Sequence, residues 1–212
     1  MARLRIPVTS ADHVIGNDDA PVTLVEYGDY QCPYCGAAHP IVKQILARHG
    51  NNLRFVFRHF PLVEMHPLAE PAAETAEFAD SHEQFWQMHD AIYTNQRSLS
   101  IALLIALAAN LDLSTIELRD ALASHRFLPK IQADFAGGVR SGVNGTPTFF
   151  INGVRFDRPL GAAGLPAAID ATLQDRGVAT EANPPRNVTV LVQDGLPPDR
   201  RPGGQMFQQR RG

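Results

Sequence analysis

Apolar residues recur in two rhythms along this chain. Val22-Thr-Leu-Val-Glu26 is a short, nearly unbroken apolar and β-branched run, the composition of a buried strand. Gly28 and Asp29 interrupt it. Beyond Pro33, Ala37, Ala38, Ile41, Val42, Ile45 and Leu46 recur at three- and four-residue spacing, which predicts a helix running to about His49 and stopped by Gly50. Pro40 predicts a kink inside it. Leu53-Arg-Phe-Val-Phe-Arg-His-Phe60 again has strand composition. A strand, a helix and a second strand of these lengths predict a βαβ unit with parallel strands and a right-handed crossover.

Residues 62–140 read as successive helices rich in Ala and Leu, with Ile101–Ala109 a core helix. Ser81-His-Glu-Gln84 and Ser114-Thr-Ile-Glu117 match the capping-box pattern and predict a helix start at each. Phe85, Met88, His89 and Ile92 share one helical face, as do Leu118, Ala121, Leu122 and His125. His89, His125, Trp86 and Tyr93 read as packing or rim residues. Strand signals return at Gly142–Phe156. There Asn152-Gly153, between Thr148–Ile151 and Val154–Phe156, predicts a hairpin, with Pro147 at the start of its first strand. Residues 162–176 predict a closing helix. Asp12–Gly16 predicts a short edge strand. Beyond Val178 the chain turns rich in Pro and Arg and reads as a flexible tail, with Asn187–Val192 a strand or docking segment.

The pattern divides the chain into residues 1–61, a helical insertion at 62–141, a returning β-segment at 142–177 and a tail at 178–212. A hydrophobic fraction of 44% in 212 residues is enough for a substantial core. A net charge of −3 argues against a general nucleic-acid or anionic-membrane partner. No apolar run reaches the roughly 18 residues of a membrane span. Without a signal-peptide pattern at residues 1–10, the sequence as written reads as cytoplasmic, and as periplasmic or exported if a leader was removed.

Chemistry concentrates where the first strand meets its helix. The two cysteines stand there as Cys32-Pro-Tyr-Cys35. Pro33 suits the first helical position, which puts Cys32 near the N-cap and Cys35 one turn on. A thiolate at a helix N-terminus feels unpaired N–H groups and the positive end of the helix dipole, so its pKa falls from about 8.5 into roughly 3.5–7.5. Cys32, nearer the helix end and more exposed, is the expected attacking thiolate, and Cys35 the resolving thiol. A structural cysteine pair, or a zinc site completed by two of the eight histidines, is the competing reading. His39, His59 and His66 are the nearest in sequence, but one Cys pair falls short of the usual four-ligand sets.

The C-x-x-C at a strand-to-helix turn, the βαβ unit, the helical insertion and the Thr146-Pro147 ahead of a hairpin together resemble the thioredoxin superfamily. The insertion makes the chain similar to the DsbA-like thiol:disulfide oxidoreductases. Asp29–Cys35 is similar to their active-site segment, and Gly142–Phe150 to their cis-proline loop. The resemblance covers about residues 10–177. It implies an α/β thioredoxin-like fold and an enzyme whose only redox group is the Cys32–Cys35 disulfide, with no separate cofactor and no metal. It also implies that Glu26 is a buried acid relaying a proton to Cys35, against the alternative of an exposed strand-end glutamate. Pro147 would be a cis proline, with the Thr146 backbone presented to an extended substrate. Pro33 and Tyr34 would tune the redox poise and touch substrate. Pro33-Tyr34 is closer to the glutaredoxin dipeptide than to the Pro-His of periplasmic oxidases. Since a neutral Tyr34 lacks an imidazole beside the thiolate, the expected potential lies between about −230 and −120 mV. Protein thiols and disulfides are the implied partners, with glutathione, a thioredoxin-type reductase or a membrane oxidase as the electron partner. A glutathione-dependent isomerase or transferase, and a non-catalytic binding module, are the alternatives. The complete C-x-x-C argues against the first, and ordinary thiol reactivity at Cys32 would mark the second.

Overall fold

The computed structural model describes residues 2–159 and 164–178. Strands β1 (His13–Ile15), β2 (Val22–Gly28), β3 (Leu53–His59), β4 (Thr148–Ile151) and β5 (Val154–Phe156) form one sheet in the order β1-β3-β2-β4-β5. β2 and β3 pair in parallel, from Val22 opposite Leu53 to Gly28 opposite His59, and the other pairs are antiparallel. Helix α1 (Pro33–His49) makes the crossover between them. Five helices run between β3 and β4: α2 (Ala69–Asp80), α3 (Phe85–Thr94), α4 (Ile101–Asn110), α5 (Thr115–Ala123) and α6 (Leu128–Arg140). Helix α7 (Leu165–Asp175) follows β5. This is a thioredoxin-like fold with a mixed sheet. The expected segment Asn187–Val192 and the tail from 179 onward lie outside the described residues, as do 162 and 163 of the closing helix.

β2 is central, and the two-residue strand period sends its side chains alternately to two buried layers. Leu24 faces a layer with Phe55, Phe57, Phe149, Cys35 and Val42, and Glu26 projects to that same face. Val25 and Tyr27 face the other layer, with Val56, Phe60 and Phe150. There Arg58 donates to Asp12 through Nε (2.7 Å) and to the Tyr27 hydroxyl through Nη1 (2.9 Å), which fastens the N-terminal arm.

The helical insertion is tied to the sheet by buried polar groups as well as by packing. His13 on β1 and His59 on β3 both donate through Nε2 to Glu77 Oε1 on α2, at 2.6 and 2.7 Å. Burial opposes the Glu77 charge, but these two hydrogen bonds outweigh it and hold the carboxyl well below its usual range.

Helix starts differ from the sequence expectation at one place. Ser114 accepts from the Glu117 N–H and caps α5, as its pattern predicts. Ser81-His-Glu-Gln84 opens no helix. Ser81 ends α2, its hydroxyl donates back to the Phe78 carbonyl at 2.6 Å, and Glu83 turns the chain through a φ of 61°. A hydroxyl spent on the preceding helix cannot cap the next one, and α3 starts at Phe85 with Gln84 as its N-cap. Ser100 caps α4 through the Leu103 N–H, a start that no glutamate marked in the sequence.

Gly28, the last residue of β2, is a tight spot. A Cβ there would lie 2.4 Å from the Phe57 ring, which is fully buried and cannot retreat. Gly28→Ala is expected to lower stability by about 1–3 kcal/mol through overpacking. Urea denaturation checks this, and an unchanged midpoint would show that the ring can move.

Candidate active site

The loop Asp29–Gln31 between β2 and α1 is held by its own first residue. Asp29 Oδ1 accepts from the N–H groups of Gln31 (2.7 Å) and Cys32 (3.2 Å). Its Oδ2 accepts from the Leu62 N–H (2.9 Å) and from His66 Nδ1 (2.8 Å). One buried carboxylate thus fixes the helix entrance to the segment after β3. Gln31 adds a second tie by accepting from the Leu68 N–H at 2.6 Å. From the far side, Gln96 Nε2 donates to the carbonyls of Tyr30 (2.9 Å) and Cys32 (2.8 Å).

The loop delivers Cys32 to the N-cap of α1 with Pro33 in the first turn. The two cysteines are free thiols. Both are more enclosed than their sequence positions suggest: Cys32 is 3% exposed and Cys35 is 0% exposed. Cys32 is covered because the 146–147 loop packs on it, and as a thiol it donates to the Thr146 carbonyl at 3.3 Å. The Thr146–Pro147 peptide is cis. The Thr146 hydroxyl is buried with no hydrogen-bond partner among the described residues.

Charge at this site is distributed unequally. A hydrogen bond from the Cys35 thiol is the main influence that brings the Cys32 pKa from 9.0 down to about 5. The Thr146 side chain and the backbone N–H groups of Cys35 and Tyr34 add to it, and burial opposes it. Burial first, and the bond to Cys32 second, push Cys35 well above the usual thiol range, although the Asp29 N–H donates to its Sγ at 3.4 Å. Glu26 is 3% exposed on the sheet face that carries Cys35. Burial, and then the Cys32 charge, raise its pKa from 4.5 to about 8. The sequence alternative of an exposed strand-end glutamate does not hold, because β3 and β4 flank Glu26 on both sides.

The structure therefore brings Cys32, Cys35, Glu26, Thr146 and Pro147 to one place. Pro33 and Tyr34 face outward, and Tyr34 is 72% exposed. Beside the loop, Pro61, Leu62, Val63, Glu64, Met65 and Phe135 line an open, largely apolar cleft of about 330 Å³. The histidines considered for a zinc site are engaged elsewhere: His59 with Glu77, His39 with Asp90 and His66 with Asp29. Among the described residues, no group of side chains placed to share a metal ion includes either cysteine.

From the sequence, Asp29 reads only as a strand breaker within the active-site segment, His66 only as a possible zinc ligand, and Gln96 is not singled out. Asp29 carried a signal, since an aspartate just before a helix can accept from its N–H groups. Gln96 carried none. His89 and Tyr93 were read as packing residues. Both do pack, but His89 is also hydrogen-bonded to the Tyr30 hydroxyl at 2.9 Å, within the redox loop.

A low-pKa thiol at a helix N-terminus, a second thiol one turn deeper and a buried acid behind both define a dithiol redox centre on a thioredoxin-like fold. The comparisons agree. Residues 8–171 match the family described as Thioredoxin, and the chain belongs to that family. The fold is similar to that of alpha-DsbA1 from Wolbachia pipientis, with a TM-score of 0.69 at 22% identity over 84% of this chain and 98% of that one. Oxidised BdbD from Bacillus subtilis superposes with a TM-score of 0.73 at 23% identity, over 82% of this chain and 98% of that one. A thioredoxin-like oxidoreductase from Silicibacter pomeroyi DSS-3 gives 0.63 at 26% identity, over 81% and 95%. A curated relative, Na(+)/H(+) antiporter NhaA 1 of Salinispora arenicola, is 45% identical over 167 residues, or 78% of this chain. The chain spans only 26% of that protein's length. Among the described residues no helix is long and apolar enough to cross a membrane.

Proposed function

We propose that this protein is a thiol:disulfide oxidoreductase that exchanges disulfides with protein dithiols through Cys32 and Cys35. The observation that carries this reading is the split between the two thiols, one held near pKa 5 and the other pushed well above the usual range. At neutral pH Cys32 is a thiolate while Cys35 keeps its proton. A nucleophile and a resolving thiol need that division.

Cys32 Sγ attacks a substrate disulfide, and one substrate sulfur leaves as a thiolate. The Cys32–substrate mixed disulfide is then attacked by Cys35. The Cys35 proton passes to Glu26 in its ionised fraction, which is the minor one at neutral pH, the second substrate sulfur leaves as a thiolate, and the Cys32–Cys35 disulfide closes. The reverse sequence oxidises a substrate dithiol. Thr146, whose carbonyl lies 3.3 Å from Cys32 Sγ, offers backbone hydrogen bonding to an extended substrate chain. Tyr34 and the cleft at Pro61–Met65 offer apolar contact on either side. Reducing equivalents come from glutathione or a thioredoxin-type reductase. The reading rests on the redox centre and not on the antiport for which the curated relatives are named.

The test is trapping. Reduced Cys35→Ser, mixed with a disulfide-bonded protein, is expected to accumulate a Cys32-linked mixed disulfide that dithiothreitol releases. Cys32→Ser is expected to form none. A Cys35→Ser protein that traps nothing while its Cys32 remains alkylatable would overturn the assignment. Continued turnover of a small glutathione substrate by Cys35→Ser would favour the one-thiol alternative.

A further inference from the structure

The Tyr93 hydroxyl is buried and has no hydrogen-bond partner among the described residues. Tyr93 lies on α3 of the helical insertion, and its ring is packed against His39 at 4.9 Å and against Tyr30 and His89 at 5.0 Å between centroids. Those contacts fix the ring without using the oxygen. The oxygen reaches toward β2, where a Cβ on Gly28 would lie 3.1 Å from it. The next residue, Asp29, is the one whose N–H donates to Cys35 Sγ. The hydroxyl on the Gly28 side and the Cys35 thiol on the Asp29 side thus adjoin one peptide, with no hydrogen bond between them in the resting protein. An unsatisfied buried donor carries a penalty of about 1–3 kcal/mol, and phenylalanine would pack equally well without it.

We propose, on the oxidoreductase reading above, that Tyr93 is a positioning residue of the resolving step, its O–H donating to the negative charge that develops on Cys35 Sγ during attack. Cys35 gives its proton to Glu26 in its ionised fraction, and its sulfur bonds to Cys32 Sγ. The Cys32–substrate bond breaks, and the substrate leaves as a thiolate. Tyr93 keeps its proton throughout. Burial, and next to it the Cys35 charge, push the Tyr93 pKa well above the usual phenol range, so the group remains a donor. The ionisable groups around it are Glu26, Asp29 and Tyr30 from β2 and its loop, Cys35 and His39 from α1, and His89 from its own helix. His89 is held neutral by burial, with its pKa well below the usual imidazole range.

Tyr93→Phe keeps the ring and deletes the donor. The reduced protein is mixed with 5,5′-dithiobis(2-nitrobenzoate) in a stopped-flow instrument. The first equivalent of thionitrobenzoate reports attack by Cys32, and the second reports resolution by Cys35. The variant is expected to keep the first phase within about twofold and to slow the second about tenfold, the kinetic equivalent of one hydrogen bond. The pH midpoint of the second phase should move upward. A general packing defect would slow both phases and lower the urea midpoint of the oxidised protein, which overturns the proposal. Second-phase rates and pH midpoints equal to wild type would also overturn it, while leaving the oxidoreductase reading intact. A wild-type protein with no second phase would remove both.

Discussion

From pH 5 to pH 7 the reduced protein should gain urea resistance relative to the oxidised protein, and that gain should disappear as the pH falls back to about 5. The cause is the Cys32 thiolate, whose pKa drops from 9.0 to about 5 on folding. A depressed pKa stabilises the folded state fully above the unfolded value, and that stabilisation is lost as pH falls through the folded one. At pH 7 the folded pKa lies two units below the ambient pH. At about 1.36 kcal/mol per unit this is roughly 3 kcal/mol, present only while the sulfur is free. The disulfide form has no thiolate and gains nothing from the same donors. By linkage, the thiolate favours the reduced form and raises the potential of the couple. Urea midpoints of both redox forms at pH 5 and pH 7 check the prediction. A margin that does not change with pH would refute the thiolate as its source.

Glu26→Gln should make the reduced protein more stable at neutral pH and slower to resolve a mixed disulfide. Glu26 has its pKa raised from 4.5 to about 8, chiefly by burial. Between those values the folded protein keeps a proton that the unfolded chain has released, so stability falls as pH rises through the window. At pH 7 this amounts to roughly 3 kcal/mol of destabilisation, two and a half units at about 1.36 kcal/mol each. The amide removes that dependence. Wild type and variant should have equal urea midpoints near pH 4.5 and diverge above it. In the reduced wild type, the Glu26 loss and the Cys32 gain run in opposite directions over nearly the same range, so its stability should be almost flat from pH 5 to 8. A Glu26→Gln protein no more stable than wild type at pH 7 would mean that the carboxyl reaches water.

Both predictions rest on residues that were visible in the sequence, although their surroundings were not. The apolar spacing from Ala37 to Leu46, the β-branched run at Val22 and the Asn152-Gly153 turn are local signals, and α1, β2 and the β4–β5 hairpin appear where these point. Ser81 shows the limit of such signals, because a hydroxyl can serve the helix behind it as readily as the one ahead. Asp29 looked like a strand breaker, and its carboxylate also binds Leu62 and His66, residues that only chain return brings near.

Sequence alone determined that a dithiol stands at a helix entrance, since Pro33, the C-x-x-C spacing and the flanking strand and helix periods all act within a few residues of one another. It could not determine how acidic each thiol or carboxyl is. That depends on partners distant in the chain: the Thr146 carbonyl meets Cys32 across 114 residues, and β4 flanks Glu26 by pairing its Phe149 with it. Burial and hydrogen bonding set a pKa, and both are properties of the packed molecule, so the site's residues could be read from the sequence while their ionisation came only from the assembled sheet and its helical insertion.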